Sequence, residues 1–352
     1  MLMKGRVILR DTLDGRKAAA LMVDGRLEDV VIDPRLGAPP MPGAIFRAVA
    51  DRPLKGQGGI TVRLPWGRGF LRQANGVAPG DTIVVQVSGT AEPGKAVPVT
   101  PRLLFKGRYA IITPQAPGIN VSRTIKDTAE RDRLVSIAQV AMTGAPADHG
   151  LILRSAAAGA VNLAVTDDIA AMLASTVAVT ALGDVLGEPE CLLAGPDAHE
   201  LAWRDWAVPA PDATINIPGC FDTHGVLEAV DAMLTPTFSL SDGATAFVEP
   251  TRALVAIDVN TGADGSLAAG VKANLALARA LPRVLRIKGL GGQIVIDAAP
   301  MPKKDRRMVE QALRKAFRDD GADVVFAGWT PLGHFEIQKK RDRHPLTDLW
   351  PD

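Results

Sequence analysis

The chain carries the run LVAIDVN at residues 254–260 and the run QIVID at residues 293–297. Both runs are short, apolar and rich in β-branched residues, which favours strands, and they contain Asp258 and Asp297 at or near their ends. If the two strands pair in one sheet, both carboxylates lie at the same edge. A buried aspartate at a strand end is costly unless a cation or a hydrogen-bond donor compensates it. The sequence therefore predicts a metal site with oxygen ligands that suit Mg²⁺ or Mn²⁺.

Asn260 belongs to the same predicted site. Residues two apart on a strand point to the same side, so Asn260 can hold the carboxylate of Asp258 or a water in place. A magnesium ion held by one or two carboxylates keeps several waters, one of which can be activated or can bridge to a phosphate oxygen. This chemistry fits phosphodiester hydrolysis. On the residues alone a second interpretation stays open, in which the aspartates only cap the turn or helix that follows each strand.

Length and composition indicate a globular protein. The 352 residues are 47% hydrophobic, enough for a sizeable core, and the length suggests two or three domains. The sequence has no uninterrupted apolar run of 18 residues, and its start reads as a strand, so we expect a cytoplasmic protein without a membrane segment. Cys191 and Cys220 lie far apart and form no CxxC pair, which argues against a disulfide framework or a cysteine-rich zinc site.

Charge is distributed unevenly along the chain. Residues 1–126 hold 19 basic and 9 acidic side chains, residues 127–248 hold 4 and 17, and residues 249–352 hold 17 and 13. Within the last segment, residues 271–318 hold 12 basic and 3 acidic side chains. Two basic regions around an acidic middle are typical of a polyanion-binding surface with a scaffold between its parts. The alternative is ordinary charge segregation.

Strand-like runs dominate the first 126 residues. Between Ile45 and Val87 their spacing predicts an OB-type barrel, a fold that often binds single-stranded nucleic acid across one face. Trp66 and Phe70 stand among arginines and can stack on bases, with packing in the barrel core as the alternative. The strands predicted in this part are 6–9, 18–23, 59–64, 82–87 and 109–113.

Helices and strands alternate in the remainder, which predicts a layered α/β domain in the last third. Pro282 lies inside a predicted helix and should kink it. None of the five histidines has catalytic spacing, and His334 is placed on a terminal strand. The predicted helices are 129–142, 167–179, 199–206, 225–234, 266–286 and 304–319, and the predicted strands are 150–154, 246–248, 253–259, 294–297, 323–327 and 334–338.

Residues 247–262 and 274–297 resemble the ribonuclease E/G family. The first run is similar to the family strand that bears one metal aspartate and a supporting asparagine. The second is similar to the family helix, its LGG turn and its second metal aspartate. The resemblance implies that Asp258 and Asp297 bind Mg²⁺, that Asn260 supports them, and that the activity is endonucleolytic cleavage of single-stranded, A/U-rich RNA to 5′-phosphate and 3′-hydroxyl ends.

The resemblance continues upstream more faintly. Phe70 stands where the family has an RNA-contacting aromatic, and Lys95 stands near a basic RNA contact. Residues 105–109 and 150–155 are similar to the family pocket that senses a 5′-monophosphate. In that pocket Arg154 would grip the phosphate, with Ser155 and the backbone near Gly107 adding donors. Without the family, Arg154 reads as a surface ion-pair residue.

The family architecture implies a multidomain chain of the α+β and α/β classes. We expect N-terminal strands of an RNase H-like scaffold in residues 1–36, an inserted OB-type RNA-binding barrel in 37–100, and a 5′-sensor-like region in 101–180. A shortened RNase H-like region in 181–234 and a DNase I-like α/β catalytic domain in 235–352 would follow.

The sequence also departs from the family pattern. Asp323 stands where the family has another basic residue of the phosphate pocket, so 5′-end sensing is in question. The residues after Asp297 lack the usual bulky pair and further aspartate, and Ser266 opens a helix that lacks the family's acidic start. No CPxC motif follows, so neither a zinc-linked dimer nor the small terminal domain is expected, and the oligomeric state stays open.

Three functions fit these observations to different degrees. The first is a Mg²⁺-dependent endoribonuclease, with Mn²⁺ as another option for the ion, in which Lys303 and Lys304 neutralise RNA phosphates; those lysines otherwise form a solvated helix start. The second is an RNA-binding protein of the same ancestry with weak or lost cleavage. The third is a phosphatase for small phosphate esters, which leaves the barrel and its basic surface without a purpose.

Overall fold

The structure is a computed structural model that describes residues 4–351 except residues 55, 57, 73, 93 and 184. The chain divides into two compact units. Unit 1 consists of Met1–Ile32 together with Ile215–Asp352, and unit 2 consists of Asp33–Thr214. Unit 1 is therefore discontinuous in sequence, and the chain leaves it once and returns. The two units are described separately.

The first segment of unit 1 is an antiparallel meander of three strands. It comprises β1 (Arg6–Leu13), β2 (Arg16–Val23) and β3 (Arg26–Ile32). Its two hairpin turns are Asp14-Gly15 and Asp24-Gly25, and all four residues have positive φ. Asp-Gly pairs favour this turn because glycine has no Cβ and aspartate tolerates the left-handed region. The sequence patterns located β1 and β2 but missed β3.

Unit 2 contains a closed barrel of five strands, as the strand spacing predicted. Pairing of β4 with β7 closes the order β4-β5-β6-β8-β7 into a ring. Phe46, Ile60 and Leu71 are among the apolar side chains that fill the interior. The strands are β4 (Ile45–Leu54), β5 (Gly59–Leu64), β6 (Gly67–Arg72), β7 (Thr82–Val87) and β8 (Val97–Thr100).

The rest of unit 2 is a small sheet with the order β11-β12-β10-β9, covered by helices α1 and α2. Asp127 caps α1 by accepting a hydrogen bond from the Ala129 backbone N–H. Strand β13 was not predicted, and it pairs with β4. The elements are β9 (Phe105–Lys106), β10 (Ala110–Thr113), β11 (Gly118–Val121), α1 (Thr128–Ala141), β12 (Gly150–Leu153), α2 (Asn162–Gly183), β13 (Glu190–Leu193) and α3 (Ala198–Asp205). Strand β14 (Ala213–Ile215) follows as the chain returns to unit 1, where it joins the meander in the order β14-β1-β2-β3.

Helix α2 passes the length and hydropathy test for a membrane span. The sequence pattern missed this because Asp167 and Asp168 interrupt the apolar run. Val165, Ile169 and Val179 of this helix are buried in the core of unit 2. Only 22% of the apolar window of α2 is buried, and a single helix that meets the length and hydropathy criteria is weak evidence for a membrane segment.

The second segment of unit 1 holds a six-stranded sheet of order β15-β16-β17-β18-β20-β19. Strands β17 and β18 run parallel, and α6 is the crossover between them. The elements are α4 (Cys220–Thr223), α5 (Val226–Leu234), β15 (Thr237–Ser239), β16 (Thr245–Pro250), β17 (Val255–Asn260), α6 (Leu267–Ile287), β18 (Gly292–Asp297), α7 (Arg306–Asp320), β19 (Val324–Trp329), β20 (Phe335–Lys339) and α8 (Leu346–Leu349).

Helix α6 fixes the spacing of the two parallel strands. Ser266 caps its start, since the Ser266 side chain accepts a hydrogen bond from the Ala269 backbone N–H. Pro282 lies inside α6 and is buried, and the helix continues past it to Ile287; the kink that the sequence predicts at this proline stays a prediction. The buried face of α6, which includes Leu277 and Leu281, lies in the core of unit 1.

The six-stranded sheet has one covered face and one open face. Ile257 and Ile296 point into the core that α6 and α7 complete. Side chains alternate along a strand, so the residues between these positions face the other way. Asp258, Asn260 and Asp297 are all exposed on that open face.

Candidate metal centre at a sheet edge

Asp258 and Asp297 are direct neighbours across two strands. Strands β17 and β18 pair in parallel, and Asp258 is in register with Asp297. Adjacent strands lie about 4.8 Å apart, so the two carboxylates start from neighbouring positions on the same face. The sequence prediction that the two strands would bring their aspartates to one edge is confirmed.

Asn260 lies on the same face, two residues after Asp258. Its Nδ2 atom donates a hydrogen bond of 2.8 Å to Oδ2 of Asp258. This contact fixes one carboxylate oxygen of Asp258. The supporting role expected for Asn260 therefore has a direct structural counterpart.

The expectation that these aspartates are buried is wrong. Both are exposed, and the side chain of Asp297 retains 68% of its accessible surface. In the part of the chain that the structure describes, every second side chain of β17 and β18 on this face is exposed or partly exposed, a feature that strand patterns do not reveal. A burial penalty therefore does not require a cation here, and the case for a metal rests on the paired geometry.

Residues other than Asp258 cap the turn and the helix that follow β17. After β17, Asp264 accepts a hydrogen bond from the Ser266 backbone N–H at 2.9 Å, and Ser266 caps α6. The bond from Ser266 holds the pKa of Asp264 below its usual value. Asp258 is instead bonded by the side chain of Asn260. The turn before α6 is thus stabilised without Asp258.

The donor set fits a hard divalent cation. In the described part of the chain, no three His, Cys, Asp or Glu side chains are already gathered into a ligand cluster. Mg²⁺ does not need such a cluster, since it binds through one or two carboxylates and keeps several waters. Two neighbouring carboxylates on an open face, one of them fixed by an amide, meet that requirement.

His334 is a neighbour of this edge that the sequence analysis missed. Its Nε2 atom lies 3.8 Å from Oδ1 of Asp297, and its side chain is 37% exposed. The residue immediately precedes β20, whose Phe335 pairs with Ile296 of β18. Only the pairing of β18 with a strand some 40 residues later places His334 beside Asp297, so spacing along the chain gives no signal.

Lys303 and Lys304 follow Asp297 within the same unit. They form a short 3-10 helix, Lys303–Asp305, that leads into α7, and both are exposed. Arg306, the next basic residue, lies with its guanidinium 4.7 Å from the centre of the Trp329 ring. The predicted phosphate contacts are thus exposed cations on the segment that leaves the carboxylate edge.

Phe70 lies on the outer face of the barrel in unit 2. It is half-buried and is not part of the barrel core, and its ring lies so close to Gly59 that a Cβ there would meet it at 2.7 Å. On the same hairpin face, Arg63 is paired with Arg68 and Gly59 with Arg72 across β5 and β6. The face therefore presents an aromatic ring between arginines.

Trp66 and Lys95 both contact other side chains of the same chain. Trp66 is 41% exposed, and its ring meets Phe46 edge to face with centroids 6.0 Å apart. Since Phe46 belongs to the barrel core, the ring of Trp66 packs partly against that core, as the alternative to base stacking proposed. Lys95 is exposed but forms an ion pair with Glu92.

Arg154 is occupied by contacts within unit 2. Its guanidinium donates to the Gly107 carbonyl oxygen at 2.7 Å and to Oδ1 of Asp205 at 2.7 Å. Ser155 begins a 3-10 helix next to it. The structure therefore brings Gly107, Arg154 and Ser155 together as expected, and it also places the carboxylate of Asp205, which the sequence analysis did not include.

Asp205 is held by two arginines. Arg204 donates to both of its carboxylate oxygens, at 3.0 and 2.8 Å, in addition to the bond from Arg154. Burial raises the pKa of Asp205, but the hydrogen bonds and charges of Arg204 and Arg154 outweigh it and keep that pKa below its ordinary value. Asp205 is consequently an anion that forms an ion pair with Arg154, as the ion-pair interpretation of Arg154 predicted, and it shares its single charge with Arg204.

Comparison with known proteins identifies the family. The sequence model of the ribonuclease E/G family matches residues 105–215 and 212–342. The chain belongs to this family. It is 27% identical to ribonuclease E of Nostoc sp. over 78% of this chain and 45% of that protein, and 25% identical to ribonuclease G of Salmonella typhimurium over 77% and 62%. A ribonuclease E/G-like chloroplastic protein of Arabidopsis thaliana is 27% identical over 77% and 31%.

The aligned region covers only part of each relative's length. The chain spans between 31% and 62% of the length of these three proteins. The matched region contains Asp258, Asn260 and Asp297 as well as Arg154. Membership of the ribonuclease E/G family is therefore established across both the carboxylate edge and the Arg154 contacts.

Proposed function

We propose that the chain is a divalent-metal-dependent endoribonuclease that hydrolyses phosphodiester bonds in single-stranded, A/U-rich RNA, in RNA processing or decay. The observation that carries the proposal is the register of Asp258 with Asp297 on an open sheet face. Family membership supports the ribonuclease activity. The cleavage products are expected to carry 5′-phosphate and 3′-hydroxyl ends.

The carboxylates of Asp258 and Asp297 would hold the ion, which we expect to be Mg²⁺ or Mn²⁺. When bound, such an ion supplies an activated water and neutralises charge that develops on the phosphate. Because Asn260 already fixes one oxygen of Asp258, this side chain loses less conformational entropy when it binds an ion. The open face gives an extended RNA chain room to approach both carboxylates.

Cations near the carboxylate edge would bind the RNA backbone. Lys303 and Lys304 are exposed on the segment after Asp297, where they can neutralise phosphates without reading sequence. In unit 2, the Phe70 ring between Arg68 and Arg72 is suited to stack a base while the arginines meet phosphates. Both surfaces fit single-stranded RNA better than a small phosphate ester.

The proposal is tested with 5′-monophosphorylated, A/U-rich single-stranded RNA and the full chain. Cleavage is measured with Mg²⁺, with Mn²⁺ and with EDTA, and the product ends are mapped. We expect metal-dependent cleavage that Asp258→Asn and Asp297→Asn each abolish. RNA binding by a folded wild type that never cleaves would contradict the proposal and favour an RNA-binding protein of the same ancestry.

A further inference from the structure

Arg306 and Arg314 of α7 both stack on aromatic rings of β19. The Arg306 guanidinium lies 4.7 Å from the centre of the Trp329 ring, and that of Arg314 lies 4.5 Å from the centre of the Phe326 ring. Arg314 also forms an ion pair with Glu310 at 2.8 Å. Within the part of the chain that the structure describes, the Arg306 guanidinium has neither an ion pair nor a hydrogen bond. The two arginines therefore share one kind of packing and differ in whether the chain supplies a counter-charge.

A bulge in β19 places the Trp329 ring. Phe326 and Trp329 are three residues apart, so in a regular strand they would point to opposite faces. The register of β19 with β20 shifts between Phe326 and Gly328, and Gly328 has a φ of +105°. The shift brings Trp329 opposite the core residue Phe335, and the centres of the two rings lie 5.0 Å apart. The ring that supports Arg306 is thus itself held by the core of unit 1.

The Arg306 stack lies near the carboxylate edge. Trp329 pairs with Phe335, and Phe335 pairs with Ile296, the residue before Asp297. Adjacent strands lie about 4.8 Å apart, so Trp329 starts about 10 Å across the sheet from the strand that carries Asp297. Even a stacked nucleic-acid strand advances about 3.4 Å per nucleotide, so about three nucleotides span this distance. An RNA whose scissile phosphate lies at Asp297 therefore has another phosphate within reach of Arg306.

The Arg306 guanidinium has the properties of a phosphate ligand. A guanidinium presents a rigid fork of N–H donors that matches two oxygens of one phosphate, and stacking on the Trp329 ring fixes the plane of this fork in advance. Gly333 leaves room beside it, since a Cβ there would lie 3.1 Å from a guanidinium nitrogen of Arg306. Arg306 is half-buried, so it loses less conformational freedom on binding than an exposed lysine such as Lys304.

We infer that Arg306 binds one phosphate of the RNA within about three nucleotides of the scissile bond, and that Trp329 positions the guanidinium for this contact. The inference rests on the proposed ribonuclease function. Exposed lysines neutralise phosphates in many geometries, whereas a held guanidinium contacts one phosphate through two oxygens. Arg306 therefore fixes the register of the RNA and determines which of its phosphates reaches Asp258 and Asp297.

The first test measures the affinity of the full chain for a short, single-stranded A/U-rich RNA in EDTA. Arg306→Gln should weaken binding about tenfold, the usual effect of losing a charge-assisted contact. Arg306→Lys should recover less than about threefold of this loss, because an ammonium cannot make the two-point contact. Arg314→Gln is the matched control and should change affinity less than about twofold, since Arg314 is already paired. Full recovery in Arg306→Lys, or unchanged affinity in Arg306→Gln, would overturn the inference.

The second test locates the contacted phosphate. Uncharged methylphosphonate linkages replace, one at a time, the phosphates within about three nucleotides of the mapped cleavage site. In the wild type one of these linkages should raise KM with little change in kcat, and the same linkage should have no further effect in Arg306→Gln. Equal effects of every linkage, or an effect that persists in Arg306→Gln, would show that Arg306 fixes no register and would overturn the inference.

Trp329→Leu and Trp329→Phe test the support of the guanidinium. Trp329→Leu should weaken RNA binding in the wild-type background but not in the Arg306→Gln background, and Trp329→Phe should retain most of the affinity because it keeps a ring. Circular dichroism checks the fold, since Trp329 packs partly against the core. A loss in Trp329→Leu that adds to the loss in Arg306→Gln would refute the positioning role of Trp329.

These outcomes are distinct from those that test the proposed function. If the wild type binds RNA and never cleaves it, the ribonuclease function is contradicted, and the affinities of Arg306→Gln and Arg306→Lys still decide whether Arg306 binds phosphate. If the folded wild type binds no RNA, both proposals are refuted. Cleavage with an unchanged KM in Arg306→Gln would refute the role of Arg306 alone.

Discussion

Two groups of charged residues differ in whether the fold already pairs them. At the sheet edge in unit 1, Asp258 and Asp297 are exposed and in register, and Asp258 is bonded by the neutral side chain of Asn260. In unit 2, Arg154 is already ion-paired with Asp205, whose single negative charge it shares with Arg204. The comparison shows that residue type alone does not make a ligand site. A charge is available to a substrate or an ion only where the chain has not supplied its own counter-charge.

The largest effect is expected for Asp258→Asn and Asp297→Asn. Each removes one negative charge from the edge, so cleavage of single-stranded RNA should fall at least about 100-fold, because charge stabilisation by a bound ion contributes several kcal/mol. Rates are measured under single-turnover conditions. Since both side chains are exposed, the melting temperature should change little.

The binding readout is the control for this prediction. RNA affinity of the two variants, measured by fluorescence anisotropy without metal, should stay within about threefold of the wild type. If the two variants lose RNA affinity and cleavage to the same extent, Asp258 and Asp297 contribute only to RNA binding. The availability of these carboxylates, in contrast to the ion-paired Arg154, would then not explain catalysis.

Phe70→Ala is expected to weaken RNA binding by about 1–3 kcal/mol, the usual contribution of one stacked base. The ring lies on the outer barrel face rather than in the core, so the barrel should remain folded. Anisotropy titrations with a short single-stranded RNA measure the effect. Trp203→Leu is the matched control, because Trp203 is an exposed aromatic in the same unit that already stacks on Arg108. An equal loss in both variants would refute a specific role for Phe70.

Lys303→Gln combined with Lys304→Gln should have a moderate effect. The two exposed lysines are expected to release counterions, so the slope of log affinity against log salt should fall by about 1.4 for a single strand. Lys95→Gln is the paired counterpart, since Lys95 already contacts Glu92. Its slope should change by less than about half a unit. Equal slopes for all three proteins would show that pairing within the chain does not decide which lysines bind RNA.

The smallest effect is expected at Arg154. Because Asp205 occupies it, the wild type should cleave 5′-monophosphorylated and 5′-hydroxyl RNA at rates within about twofold. Arg154→Gln should leave both rates unchanged and cost about 1 kcal/mol or less of stability, since Asp205 is 38% exposed. In Asp205→Asn, a preference for 5′-monophosphorylated RNA should emerge. A strong preference in the wild type would show that phosphate displaces Asp205.

The same ion pair predicts a dependence on pH. The folded pKa of Asp205 lies below its ordinary value of 3.8, so its stabilising contribution is present above that value. It is lost as the pH falls through the lowered folded pKa. Urea unfolding between pH 5 and pH 2 should show this loss in the wild type and a smaller one in Asp205→Asn. Identical pH profiles would place the stabilisation elsewhere.

The sequence predicted local features better than pairings. The barrel strands between Ile45 and Val87 and the strands around Asp258 and Asp297 depend on nearby residues, and they were found. His334 and Asp205 were missed because strand pairing and helix placement bring them to their partners from distant positions. The burial of the aspartates was misjudged, since a strand pattern shows which face is apolar but not whether a helix covers the other face.

The most direct test of the central claim is a double-mutant cycle on cleavage with Asp258→Asn, Asp297→Asn and the combined variant. If the two carboxylates hold one ion, either substitution alone removes nearly all activity, and the combined variant is no slower than the slower single variant. Losses that add on a logarithmic scale would contradict the account, because they would show that Asp258 and Asp297 act independently.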